Sequence, residues 1–398
     1  MQRLAFLMLW VFVFTIPWQN SLSLEAIGTL SQLVGIVAFL VALFSCVSSG
    51  HLRRPAGTLL LVGAFGTYAL LSAGWSLDPN ITLVKASTII ELVAMFWLIT
   101  EVVSDDGQIC GLLSAYVAGS AINVILTFAR FAAGTANQEL RYTAAGFNPN
   151  DAALTLALAI PMACFLMVRV RALWTKLLLL AYAIAAPVAI ALSGSRSGVL
   201  ACCAAFVVSA VGLRRIRWSK RLILVAALAV CAWCLVAFVP ETSWTRISTI
   251  SAQVDSGDLN QRTGIWAAGL KEFAAHPVLG VGEGAYLQIS DRQLGEGFVA
   301  HNTFVSVLVE LGIIGFLFFA AILQKTARAV WNLDCSDRLM WAAIGTTWFV
   351  GVLAATWETQ KVTWLLIALI SVAARVNARE FDLHLTQEEM TAEYEFSN

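Results

Sequence analysis

Residues 302–323 read NTFVSVLVELGIIGFLFFAAIL. The stretch carries one charge, Glu310, and two glycines, Gly312 and Gly315. A membrane helix needs about 20 mostly apolar residues. The stretch therefore reads as a transmembrane span. Its polar mouth, His301 and Asn302, falls where the helix meets the water interface.

Eleven more stretches read the same way: about 4–19, 27–47, 57–74, 82–103, 110–132, 152–168, 173–192, 197–213, 221–239, 339–357 and 362–375. The composition agrees. Of 398 residues, 59% are hydrophobic and 13% charged, against roughly 25% charged in soluble domains. The expected fold is an all-α polytopic membrane protein with about 12 transmembrane helices. One long external loop, 240–301, interrupts them and contains an amphipathic helix. Residues 1–379 are expected to form the transmembrane domain, that loop included. Residues 380–398, with Glu388, Glu389, Glu393 and Glu395, read as an acidic cytoplasmic tail. The first apolar run reads as a retained span, because no small-x-small cleavage pattern follows Trp18. Net charge is zero, so no nucleic-acid partner is expected.

Lys and Arg set the orientation. With the N-terminus inside, 16 of the 25 basic residues fall in inside loops, among them the cluster RRIRWSKR at 214–221. Both termini are then cytoplasmic. The nine outer basic residues become exceptions that need a reason: Lys85, Arg130, Arg141, Arg196, Arg246, Arg262, Lys271, Arg292 and Lys361. The eight cysteines lie outside the external segments. Cys231 and Cys234 have CxxC spacing, but they sit in an apolar span and read as small residues at a helix interface.

Within 240–301, Asp258 and Gln261 suggest a capping box before a helix that carries Arg262 in its first turn and stops at Pro277. GVGEG at 280–284 reads as a tight turn. A second external loop, 133–151, holds Arg141 and ends in Asn148-Pro149-Asn150-Asp151, a turn suited to capping the next helix. A third, SGSRSG at 193–198, is so short that Arg196 must lie at the interface.

Arg141, Arg196, Arg262 and His301 thus share one side. Guanidinium forks bind phosphate oxygens bidentately and stay charged at any working pH. They suit a diphosphate whose lipid tail stays in the bilayer. Histidine suits a general base for a hydroxyl nucleophile. No His, Asp and Glu have ligand spacing along the chain, so neither a metal nor another cofactor is expected. Asn302 reads equally as a helix cap.

HNTFVSVLVELGIIGF resembles the signature of the O-antigen ligase/polymerase family: His-Asn, nine residues, Gly312, a β-branched residue, and Gly315 after it. QRTGIWAAGLKEFAAHPVLGVGEGAY resembles the family's Arg-bearing external helix and glycine turn. LSGSRSG resembles its short Arg loop, and RYTAAGFNPNDAAL the segment entering a mid-chain span. The resemblance is close over about 140–320. It implies a membrane glycosyltransferase of the GT-C type in the bacterial inner membrane, acting on the periplasmic side. The donor would be an undecaprenyl-diphosphate-linked glycan, and the acceptor lipid A–core (ligase) or a lipid-linked glycan (polymerase). Carried over by position, Arg196 and Arg262 hold the diphosphate, with Arg141 as a further donor contact. His301 takes the proton of the acceptor hydroxyl. Asn302, Gly312 and Gly315 support that mouth. Transfer would be metal-independent and inverting. The ligase is slightly favoured, and a polysaccharide or small-molecule transporter is the alternative from another class. Glu91 and Glu310 are intramembrane carboxylates whose partners the sequence does not name.

Overall fold

The computed structural model describes residues 1–24, 28–50, 52–137, 140–212, 218–249 and 261–396. Asp258 and residues 214–217 of the basic cluster lie outside the described residues. Among the described residues the regular elements are helices, apart from one short antiparallel pair, β1 (Ser23–Leu24) and β2 (Gly28–Thr29).

Each expected span contains one helix. They are α1 (Gln2–Thr15), α2 (Leu30–Ser49), α3 (Gly57–Leu71), α4 (Pro79–Val102), α5 (Asp106–Ala132), α6 (Pro149–Arg169), α7 (Leu173–Leu192), α8 (Arg196–Gly212) and α9 (Trp218–Phe238). The loop 240–301 supplies α10 (Glu241–Ser248), α11 (Arg262–Ala275) and α12 (Tyr286–Leu294). Then follow α13 (Thr303–Trp331), α14 (Cys335–Val352) and α15 (Lys361–Phe396). Among the described residues, nine helices are long and apolar enough to cross a membrane: α1 to α7, α13 and α15. A tenth is added if α9 and α10, bent by 109° across Val239 and Pro240, count as one span. The apolar part of α8 is shorter, and α14 does not meet the criterion. The expected count of about 12 is thus reached in helices but not in length and apolarity. The last helix, α15, runs on without a break across the boundary expected at 379/380.

The most enclosed span is α6. Its stretch PNDAALTLALAIPMAC buries Ala152, Ala153, Ala157, Ala159 and Ala163. Small side chains let helix backbones approach where lipid offers no hydrophobic drive, and α6 packs on α5, α7, α8 and α14. At the far end of α6, Arg169 pairs with Asp106 at the start of α5 and Asp337 at the start of α14. Arg53, through its backbone N–H, binds Glu101, and Arg375 binds the carbonyls of Thr100 and Val103. The near end of α6 starts at Asn148, which accepts the N–H of Asn150, and there the arginine loops gather.

One span is broken. Gly312 takes φ +64° and ψ −168° inside α13. In an unbroken helix the N–H groups of residues 313 and 314 would bond to the carbonyls of 309 and 310. Here Ile313 and Ile314 donate to Pro277 and Val278 of the long loop, at 2.9 and 3.4 Å. The carbonyls of Val309 and Glu310 accept from Val281 and Gly282, at 3.3 and 2.8 Å. Segment 277–282 is spliced into the helix ladder. Non-helical backbone at membrane depth needs such internal partners. The Tyr68 hydroxyl bonds to the carbonyls of Leu311 and Leu279, and the Trp75 indole N–H donates to Leu279, which clamps the splice from α3. The glycine stretch 280–284 is therefore more than a turn that redirects the chain.

Candidate active site

Three residues, Ser193 to Ser195, join α7 to α8. Gly194 has φ +59°, and the Ser195 hydroxyl accepts from the N–H of Gly198 while donating to Asn150. Arg141 underlies this loop. The residue is 8% exposed, and its guanidinium donates to the carbonyl of Ser193 at 2.6 Å and to Asn150 Oδ1 at 3.2 Å. Arg141 thus ties the Arg196 loop to the mouth of α6.

Arg196 opens α8 and donates through Nη1 to Thr249 Oγ1 at 3.3 Å. Thr249 in turn donates to the carbonyl of Arg246 at 2.7 Å. The bend before α10 folds Arg246 back onto the loop: a Cβ built on Gly194 would lie 3.5 Å from Arg246 Cδ and 3.8 Å from Arg141 Cγ. Arg246 had no motif to single it out. Arg262 lies in the first turn of α11, as expected, while Asp258 of the expected capping box lies outside the described residues. Gln261 is itself the N-cap residue, at φ +66°, so it cannot serve as the third helical residue. Burial, and then the charge of Arg196, lowers the pKa of Arg262. Two guanidinium groups whose charges act on one another favour a bound anion.

Helix α11 packs on α12 and α13. Its Trp266 donates to the carbonyl of Ala300 at 2.8 Å. The next residue, His301, has φ +47°. A non-glycine residue held there stores strain, which recurs at functional sites. Burial first, and then the charge of Arg262, lowers the His301 pKa from its ordinary value. The imidazole is therefore neutral at neutral pH and ready to accept a proton. Among the described residues it makes no side-chain hydrogen bond.

Asn302 caps α13, accepting from the N–H groups of Phe304 and Val305 and donating to the carbonyl of Leu353. Thr303 donates to the carbonyl of Ala355 and accepts from the N–H of Trp357. The Trp357 indole donates to Asp151 Oδ1 at 2.7 Å. The corner 353–360 thereby joins the mouth of α13 to the mouth of α6, a role the sequence did not disclose. Gly315 lies one turn beyond the break, against Leu311 and Tyr68. Glu310 finds its partners in the glycine stretch: its carboxylate accepts the N–H groups of Gly284 and Tyr286, at 2.8 and 3.0 Å. Glu91 accepts from Gln32 at 3.5 Å and lines a cavity of about 230 Å³ that Lys361 also reaches.

The model of the O-antigen ligase family matches residues 180–320. This stretch is similar to an O-antigen ligase domain. This agrees with the family resemblance in the sequence and, with the apolar helices, supports an O-antigen ligase-like membrane glycosyltransferase. The matched stretch includes Arg196, Arg246, Arg262, Glu283, His301, Glu310 and Gly312, while Arg141, Trp357 and Glu358 lie outside it. No curated protein matches the chain.

Proposed function

We propose that the protein moves a glycan from an undecaprenyl-diphosphate carrier to a sugar hydroxyl, at the periplasmic face of a bacterial inner membrane. The observation that carries this reading is the run of neighbours from Arg196 through Arg262 to a desolvated His301. Arg196 and Arg262 grip the diphosphate, and Arg246 adds a third guanidinium from α10. Arg141 contributes charge from the floor and holds the Arg196 loop in place.

The acceptor oxygen attacks the anomeric carbon, and its proton passes to His301. A new C–O bond forms as the bond from that carbon to the phosphate oxygen breaks. Undecaprenyl diphosphate leaves with the bonding pair, and the configuration inverts. Arginines neutralise the leaving diphosphate, the part a metal plays elsewhere. The donor linkage supplies the free energy. Both termini lie in the cytoplasm under this reading.

Ligase and polymerase differ in acceptor only. Lipid A–core is slightly favoured over a lipid-linked glycan. The test is transfer by the purified protein from a lipid-linked donor. Release of the carrier diphosphate with a new glycosidic bond supports the reading. Movement of the donor across a bilayer without a new bond contradicts it and fits a transporter. Surface polysaccharide from a deletion strain separates the two acceptors: free core with polymer left on its carrier means ligase, and core bearing one repeat unit means polymerase.

A further inference from the structure

Glu283, Glu310 and Glu358 each place a carboxylate oxygen within 4.8 Å of the others. They are 1%, 4% and 4% exposed. They come from the glycine stretch, from α13 just before its break, and from the corner between α14 and α15. Glu310 uses its oxygens on the N–H groups of Gly284 and Tyr286. Glu358 Oε1 accepts from the Ser306 hydroxyl at 2.9 Å. Glu358 Oε2 and Glu283 Oε2 are enclosed and have no hydrogen-bond partner among the described residues. Buried polar atoms without a partner are rare, and an ion is one of the few explanations.

The charge balance points the same way. One cation stands near. The stem of Lys85 packs beside Gly284, and its charge acts on all three carboxyls. When all three are ionised, this one ammonium leaves a deficit of two positive charges, which a divalent ion would meet. All the donors are oxygens, the set preferred by hard cations rather than by zinc or copper.

We propose that Glu283, Glu310 and Glu358 bind one hard divalent cation, calcium or magnesium, which clamps the spliced segment 277–284 to α13 and to the corner 353–360. The site lies nine residues past His301, about 13 Å along the helix. The ion therefore holds the scaffold of the active-site mouth and takes no part in transfer. The inference does not depend on which glycan or acceptor is used.

The experiment uses the full chain, purified in detergent and stripped with chelator. Added calcium or magnesium should raise its Tm, and about one equivalent of metal should stay bound after desalting. Glu283→Gln and Glu358→Gln, made singly, should elute as the wild type does but bind the metal at least about tenfold more weakly. Two results overturn the proposal. One is a wild type that retains neither metal and shows no Tm response. The other is undiminished binding by both variants, which puts the ion elsewhere. If one variant fails to fold, the other and the wild-type measurements still decide.

Discussion

Gly280 and Gly312 meet backbone to backbone. A Cβ on Gly280 would lie 2.4 Å from the carbonyl oxygen of Glu310, and one on Gly312 would lie 2.4 Å from that of Val278. Both residues also have positive φ, +71° and +64°. The contact is what lets a loop replace two rungs of a membrane helix. Either Gly→Ala change should cost more than about 2 kcal/mol, from the clash and the strained backbone together. Gly264, in α11, has nothing within 4 Å of its Cβ position, so Gly264→Ala should be neutral or slightly stabilising. Thermal unfolding in detergent checks all three.

How much of this was legible in the sequence divides by separation along the chain. Each apolar run announced its helix, because 20 consecutive residues carry that signal. Arg196, Arg262 and His301 were legible through short local patterns. The splice was not: Gly280 and Gly312 sit in two separate motifs, and nothing local says that the two backbones touch. Glu358 lies 75 positions from Glu283, so no ligand spacing links them. Arg246 was visible only as a basic residue on the disfavoured side, and the bend before α10 is what brings it in. Glu310 could be recognised as needing a partner, but its partners are backbone N–H groups, which have no residue code.

The pH dependence follows from the sign of the His301 shift. Its pKa is lowered, so the proton-accepting form persists below the ordinary value of 6.5. The acid limb of kcat/KM should therefore fall below pH 6.5, and activity should be lost as pH drops through it. Arg262→Gln removes a charge that depresses the pKa, so the limb should move to higher pH while transfer weakens. A pH–rate profile of both proteins checks this.

Arg141 and Arg196 should part in their effects. Arg141→Ala removes the donor to the Ser193 carbonyl and leaves Asn150 Oδ1 to the Ser195 hydroxyl, and should lower stability by about 1–3 kcal/mol. Arg196→Lys keeps the charge but loses the fork. It should raise KM for the lipid-linked donor with little change in Tm. Donor titrations and melting curves separate the two.

Thr303→Val keeps shape but removes both hydrogen bonds to the corner 353–360. It removes a partner from the Trp357 N–H and from the Ala355 carbonyl, and should cost about 1–3 kcal/mol. Because the neighbouring His301 rests on that anchor, kcat should fall more than donor affinity. Steady-state kinetics at saturating donor checks the split.

The most direct measurement is single-turnover transfer from a purified lipid-linked donor by the wild type and by His301→Ala, with donor affinity measured on the same preparations. The account predicts that His301→Ala inserts in the membrane, binds the donor as the wild type does, and forms no new glycosidic bond. Transfer by His301→Ala at the wild-type rate would contradict it.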